Sequence, residues 1–160
     1  MKIHFTLKLM ILATIISSSC SNNIEFEEYA EIQDNAWEIN DIKSFDVPIQ
    51  DTSNSFNVFL MLRNNGEYPW RNIHMFVTTT SPAGYQVKDT VEYYLADEMG
   101  KWLGSGWGHI WTNQLPFRLN VRFPHKGIYK FDIQHGMRNE VLPGILDVGI
   151  MIKKFQTKES

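Results

Sequence analysis

The composition and charge of this 160-residue chain exclude several classes of protein. Its formal net charge is −3 at pH 7, and this balance favours neither nucleic acid nor an anionic membrane surface as a partner. The single cysteine, Cys20, excludes an internal disulfide and a cysteine-based metal site or redox pair.

The N-terminus has the layout of a bacterial lipoprotein leader. Residues 1–8 contain two lysines and no acid, and residues 9–16 are apolar. This run is too short to span a bilayer of ~30 Å as a permanent helix. Three serines then precede Cys20, which resembles a lipobox, a site where the leader is cut and the cysteine acylated. We expect a signal peptide at residues 1–19 and a lipidated Cys20; the alternative is a secreted protein with a free thiol.

The mature chain has the size of one ordinary domain. Removing the leader leaves residues 20–160 with a net charge of −5, because two lysines leave with it. Residues 20–25 form a short tether before Phe26, the first strand-like residue. A tether of that length spans at most about 3.5 Å per residue, so a domain at residues 26–156 must lie close to its membrane.

Period-two alternation of apolar and polar residues dominates the mature sequence and predicts strands. In chain order the predicted strands are Phe56–Leu62, Tyr85–Leu95, Phe117–Phe123, Tyr129–Ile133 and Leu146–Ile152. The first is apolar on both faces, which places it centrally in a sheet. Turn signals separate these runs, so the fold class is all-β, a single antiparallel β-sandwich of immunoglobulin-like or jelly-roll-like type.

Three smaller features refine this expectation. Tyr129 follows a turn glycine at a strand start, where a tyrosine often folds its hydroxyl back onto the backbone as a tyrosine corner. The segment around Gln134 to Asn139 is expected to form one helical turn. Asp147, in an otherwise apolar strand, is expected either to bond Arg138 or to face water.

Residues 95–111 hold four glycines and three tryptophans in one segment without periodicity. No helix follows the Gly-x-Gly run, which argues against a phosphate cradle. Trp102 precedes an apolar residue, which suits packing, whereas Trp107 stands between small residues, which suits exposure. Three interpretations stay open: core, protein interface or sugar platform. The candidate partner or glycan surface comprises Trp102, Leu103, Trp107, His109, Trp111 and Arg138.

Signals for catalysis and metal binding are weak. The histidines are too widely spaced for a zinc site, and the adjacent Asp97 and Glu98 lack the oxygen cluster that calcium needs. No nucleophile signature is present, although a hydrolase site around Asp97 and His109 is a third hypothesis. We expect no enzyme, no metal and no cofactor.

Several motifs in order resemble the GldH family of gliding-motility lipoproteins from Bacteroidetes. Beside the lipobox these are Leu95–Asp97, Trp102–Gly104, Gly106–Ile110, Asn120–Pro124, Met137–Arg138 and Leu142–Gly149. One departure is His109, where the family pattern has an aspartate.

The resemblance implies a non-catalytic lipoprotein of the cell envelope. It implies lipidation of Cys20, attachment to the lipid bilayer through that residue, and protein partners in the gliding apparatus and the associated type IX secretion system. Because no acidic run follows Cys20, we expect the domain to face the periplasm, from either membrane. The alternative function is a carbohydrate-binding lipoprotein that uses the Gly/Trp segment.

Overall fold

A computed structural model describes residues 23–156 as strands β1 to β11 and one short 3-10 helix, Gln33–Asn35. The predicted signal peptide and Cys20 lie outside these described residues. Within the described range, no helix is both long and apolar enough to cross a membrane.

The first sheet has five antiparallel strands in the order β1, β11, β4, β8 and β7. They are β1 (Ile24–Glu31), β11 (Ile145–Lys154), β4 (Phe56–Asn65), β8 (Ile110–Val121) and β7 (Ser105–Trp107). The central position of β4 confirms the prediction for residues 56–62. Leu60 faces the core, and Met61 on the opposite face is still only 4% exposed because strands flank it on both sides.

The second sheet has four antiparallel strands in the order β3, β9, β5 and β6. They are β3 (Lys43–Ile49), β9 (Gly127–His135), β5 (Asn72–Thr80) and β6 (Gln86–Tyr94). A two-stranded ribbon pairs β2 (Ala36–Glu38) with β10 (Val141–Pro143).

The two sheets form the predicted antiparallel β-sandwich, and their strand order selects one of its two expected types. The first strand, β1, pairs with the last strand, β11, and the second long strand, β3, pairs with the next-to-last, β9. In an immunoglobulin sandwich the first two strands share a sheet. Eight long strands in which the first pairs with the last, and the second with the next-to-last, have the topology of a jelly roll.

The core lies between the sheets and draws on alternate residues of each strand. In β9, Tyr129, Phe131 and Ile133 are buried, while Ile128 before them and Lys130 between the first two are exposed. The predicted tyrosine corner is confirmed, because the hydroxyl of Tyr129 accepts the backbone N–H of the residue four positions earlier at 3.3 Å.

The expected helical turn at Gln134–Asn139 is wrong. Strand β9 continues through His135, and an irregular segment at residues 136–140, with bends at 138–140, leads into β10. The ladder continues because Gln134 and His135 still pair with Phe76 and Met75 of β5, and pairing with a neighbouring strand overrides a weak local preference.

The sandwich has two distinct ends. At the N-terminal end, the Lys154 N–H bonds to Asn23 O and the Phe155 N–H to Ser55 O, both at 2.8 Å. The loops at residues 50–55, 81–85 and 122–126 lie at this end, because the antiparallel register brings them beside the start of β1. The distal end carries the connections at residues 66–71, 95–109 and 136–140.

Candidate interaction surface at the distal end

Residues 95–111, the distal loop, join β6 to β8 and begin with a tight turn. The Asp97 carboxylate accepts the backbone N–H groups of Met99 and Lys101, each at 2.9 Å. Gly100 has a φ of +80°, which favours glycine, and Leu103 N–H bonds back to Leu95 O at 2.8 Å. Asp97 therefore organises the loop, and His109 lies exposed in a separate turn, which gives no support to a hydrolase site at this pair.

The second half of the distal loop is the hairpin of β7 and β8. Gly106 is required there, because a Cβ at this position would lie 2.0 Å from the Ile110 carbonyl oxygen. This close approach fixes Trp107 at the end of β7, where its side chain is 98% exposed. Gly108 and His109 complete the turn.

The three tryptophans of the loop have different environments. Trp102 and Trp111 are partly buried, with ring centroids 5.3 Å apart and planes inclined by 33°. Trp102 also lies 6.5 Å from the buried ring of Tyr68 and packs against the core. A sugar platform requires two exposed coplanar rings, and among these three only Trp107 is exposed. This arrangement disfavours the carbohydrate alternative.

The distal loop nevertheless presents several apolar side chains to solvent. Met99 is 93% exposed and Leu103 59% exposed, and Tyr94 and Ile110 flank the loop with large exposed areas. Tyr94 and Leu103 line one side of a shallow groove of about 350 Å³ over Met61 and Leu115. Exposed apolar groups concentrated in one segment are typical of a surface that contacts another protein.

Arg138, the remaining candidate residue, is exposed in the segment joining β9 to β10. It does not bond Asp147, and Asp147 does not face water either, since it is only 4% exposed, so both alternatives expected for Asp147 are wrong. The partner of Asp147 is Arg63, whose Nε lies 2.7 Å from both carboxylate oxygens on the outer face of the first sheet. Sequence reasoning missed this pair because Arg63 and Asp147 meet through the register of β4 with β11.

A second cleft opens between β6, the edge strand of the second sheet, and the part of β8 that does not pair with β7. It has a volume of about 230 Å³ and apolar walls that include Val87, Phe117 and Phe131. Two polar contacts join the strands there: Tyr93 donates its hydroxyl to Pro116 O at 2.9 Å, and Asp89 pairs with Arg118 at 2.6 Å. Burial raises the pKa of Tyr93 to about 12, so its hydroxyl keeps the proton it donates.

His135 is fully buried beneath the β2–β10 ribbon, with its ring 5.2 Å from Trp37. Neither ring nitrogen makes a hydrogen bond of good geometry with the described residues. Burial lowers the pKa of His135, and the nearby backbone of Glu140 and Trp37 only partly opposes this effect. The fold therefore holds a neutral imidazole at this position.

This burial predicts a loss of stability at acidic pH. In the unfolded chain this histidine has a pKa of about 6.5 and binds a proton below that pH, whereas in the folded chain it stays neutral to a lower pH. The contribution of His135 is therefore fully present above that pH and falls as the pH drops toward the lowered pKa. The midpoint of thermal unfolding should decrease from pH 7.5 to 5, and His135→Phe should flatten the decrease. The exposed His125→Gln is the control and should leave the decrease unchanged; an unchanged profile in His135→Phe would refute the assignment.

No group of three or more metal-binding side chains occurs in residues 23–156. The fold defines the protein as a jelly-roll β-sandwich, and the exposed apolar distal loop is its candidate interaction surface.

The comparisons with known proteins identify its family. The model of the GldH lipoprotein family matches residues 24–152, and the chain belongs to that family. It is 33% identical over 153 residues to the gliding motility lipoprotein GldH of Flavobacterium johnsoniae, covering 91% of this chain and 94% of that protein. It is 31% identical over 161 residues to the GldH homolog of Christiangramia forsetii, covering 96% and 98%. No solved structure matches the chain.

The family assignment confirms the resemblance inferred from the motifs. A lipoprotein family indicates a membrane-anchored location in the cell envelope, and the names of the family and its members give no indication of catalytic activity.

Proposed function

We propose that this protein is a non-catalytic accessory or scaffold of the gliding-motility machinery, linked to type IX secretion and held in the envelope by acylation of Cys20. The relatives that are named as gliding motility lipoproteins support the pathway. The leader-like residues 1–19 support the anchor, and the sequence after Cys20, which lacks an acidic run, supports a domain that faces the periplasm.

The distal loop is the proposed partner surface. The observation that carries this proposal is Trp107, which is 98% exposed on a glycine-dependent hairpin at the end opposite the start of β1. Anchoring raises the local concentration of the domain at the membrane, so even weak contacts through this loop would be occupied. Tryptophan is enriched among the residues that dominate binding energy at protein interfaces.

Trp107→Ala should weaken partner binding strongly without affecting the fold. An exposed side chain contributes little to stability, so the midpoint of thermal unfolding should stay unchanged. Loss of an interface anchor costs about 2 kcal/mol or more, which weakens binding at least about thirtyfold. Crosslinking in intact cells through a photoreactive residue at position 99, followed by identification of the copurified proteins, measures this binding, and colony spreading measures motility.

The matched control is Ile42→Ala, which removes an exposed apolar side chain, 49% exposed, from a different loop of the distal end. It should leave crosslinking and spreading intact. If Trp107→Ala cells spread normally and retain the crosslinked product, the loop is not the partner surface. Recovery of polysaccharide without protein would favour the carbohydrate alternative.

A further inference from the structure

Charge is distributed unequally between the two ends of the sandwich. The segments at the N-terminal end, residues 23–25, 50–55, 81–89, 118–128 and 153–156, carry six basic residues against three acidic ones. The segments at the distal end, residues 31–43, 65–72, 94–111 and 135–145, carry four basic residues against eight acidic ones. The overall net charge, which disfavours an anionic membrane as a partner, averages over this asymmetry.

The three acids of the N-terminal end are already engaged within the fold. Glu25 pairs with Lys154 at 3.0 Å and Asp89 with Arg118 at 2.6 Å. Asp51 accepts hydrogen bonds from Ser53 and Asn54 in its own turn, which hold the pKa of its carboxyl well below the usual range. Positive charge is therefore left available to an external anion.

Four of the six basic residues at this end form no ion pair among the described residues. Two of them, Lys88 and Lys153, lie over the rings of Phe76 and Phe59, at 4.7 and 5.7 Å. Arg122 and Lys126 are the two that make neither kind of contact. Both are exposed in the loop between β8 and β9, and neither forms an ion pair with any residue in the described part of the chain. His125 lies between them, also exposed.

Large apolar side chains surround these cations at the same end. Tyr85 is 77% exposed at the β5–β6 turn, Leu119 57% exposed near the end of β8, and Ile128 51% exposed at the start of β9. Exposed aromatic and aliphatic groups beside lysine and arginine are the combination that favours a membrane–water interface.

The position of the lipid anchor indicates that the membrane is what binds this surface. β1 begins at Ile24, so three residues separate it from Cys20, and four residue steps span at most about 14 Å. The N-terminal end, and not the distal end, is consequently the part of the domain nearest to the lipid.

We propose that the N-terminal end of the sandwich docks on anionic phospholipid in the membrane that holds the anchor. Arg122 and Lys126 bind phosphate groups, and Tyr85, Leu119 and Ile128 lie at the level of the headgroups. Strands of about ten residues are about 33 Å long, so docking holds the distal loop roughly that far from the membrane and turned away from it. This inference rests on the proposed acylation of Cys20.

The test uses the lipidated protein reconstituted into phosphatidylcholine vesicles with or without phosphatidylglycerol. Acylation blocks the only native cysteine, so His125→Cys and His109→Cys each introduce one site for a fluorescent label. These exposed positions lie at the N-terminal and distal ends, respectively. With a quencher attached to lipid headgroups, the label at 125 should be quenched strongly in phosphatidylglycerol vesicles while the label at 109 stays bright.

The charge contribution is tested by Arg122→Gln and Lys126→Gln in the same labelled protein. Each lost charge should weaken docking about fivefold, and added salt should act in the same direction. Equal quenching at 125 and 109 in protein that floats with the vesicles would overturn the docking and leave the anchor intact. Protein that does not float with them would overturn the acylation itself, and the docking with it.

Discussion

A chain that carries Cys20→Ala behind a leader cut by ordinary signal peptidase is expected to lose membrane attachment entirely and to fail in gliding. The substituted leader is needed because the native apolar residues 9–16, if left uncut, could hold the protein at the membrane by themselves. A single acyl chain binds a bilayer marginally, whereas several chains hold a protein in effect permanently. Removing the acceptor cysteine leaves only the docking surface with Arg122 and Lys126, and at about 1 kcal/mol per basic residue it is too weak to hold the domain on the membrane by itself.

The released domain should remain folded. The core described by the structure is built from residues between Ile32 and Ile152, so the change at Cys20 removes none of its packing. The midpoint of thermal unfolding should equal that of the lipidated protein, and cell fractionation should find the domain in the soluble envelope fraction. The control is a protein with the same leader in which Cys20 and the lipobox before it are restored, so that the cysteine can be acylated again. A soluble variant that still supports gliding would show that the tether is dispensable.

Arg63→Met is expected to destabilise the fold by about 2–3 kcal/mol. The Asp147 side chain is 5% exposed, and Arg63 supplies its hydrogen bonds while reaching water with 45% of its own surface. The guanidinium also lies 5.5 Å above the ring of Tyr29 on the edge strand. Removing the arginine leaves a buried carboxylate without a partner, and partial access of water places the cost at or just below the lower limit of the roughly 3–5 kcal/mol that breaking a buried pair costs. Urea unfolding measures it.

Two further variants distinguish the loss of the Arg63–Asp147 ion pair from the loss of side-chain packing. Arg63→Met with Asp147→Leu removes both charges and should recover stability to within about 1 kcal/mol of the wild type. Lys154→Met breaks the exposed pair with Glu25, in which both side chains are 43% exposed, and should cost less than about 1 kcal/mol. If Arg63→Met is no more destabilising than Lys154→Met, the Asp147 carboxylate does not depend on its arginine.

Strands β4, β6, β8, β9 and β11 were predictable because the pattern of apolar and polar residues is a local property, whereas β3 and β5 were not among the predicted strands. The central position of β4 followed from a run that is apolar on both faces, and the corner at Tyr129 followed from a glycine two residues before it. The choice of a jelly roll over an immunoglobulin order was not predictable, since it depends on β1 pairing with β11 more than a hundred residues away.

The candidate surface was predictable only in part for the same reason. Small neighbours of Trp107 and the apolar neighbour of Trp102 indicated which ring is exposed and which is packed, and the structure agrees with both. The pairing of Asp147 with Arg63 and the collection of basic loops at one end depend on register between distant strands. A net charge calculated over the whole chain cannot reveal that basic and acidic residues lie at opposite ends of the sandwich.

The acylation of Cys20 is tested most directly by mass spectrometry of the N-terminal peptide of the protein purified from its native membrane. We expect residues 1–19 to be absent and the peptide to begin at Cys20 with fatty acyl groups attached. A peptide that retains the leader, or one that carries a free thiol at Cys20, would contradict it.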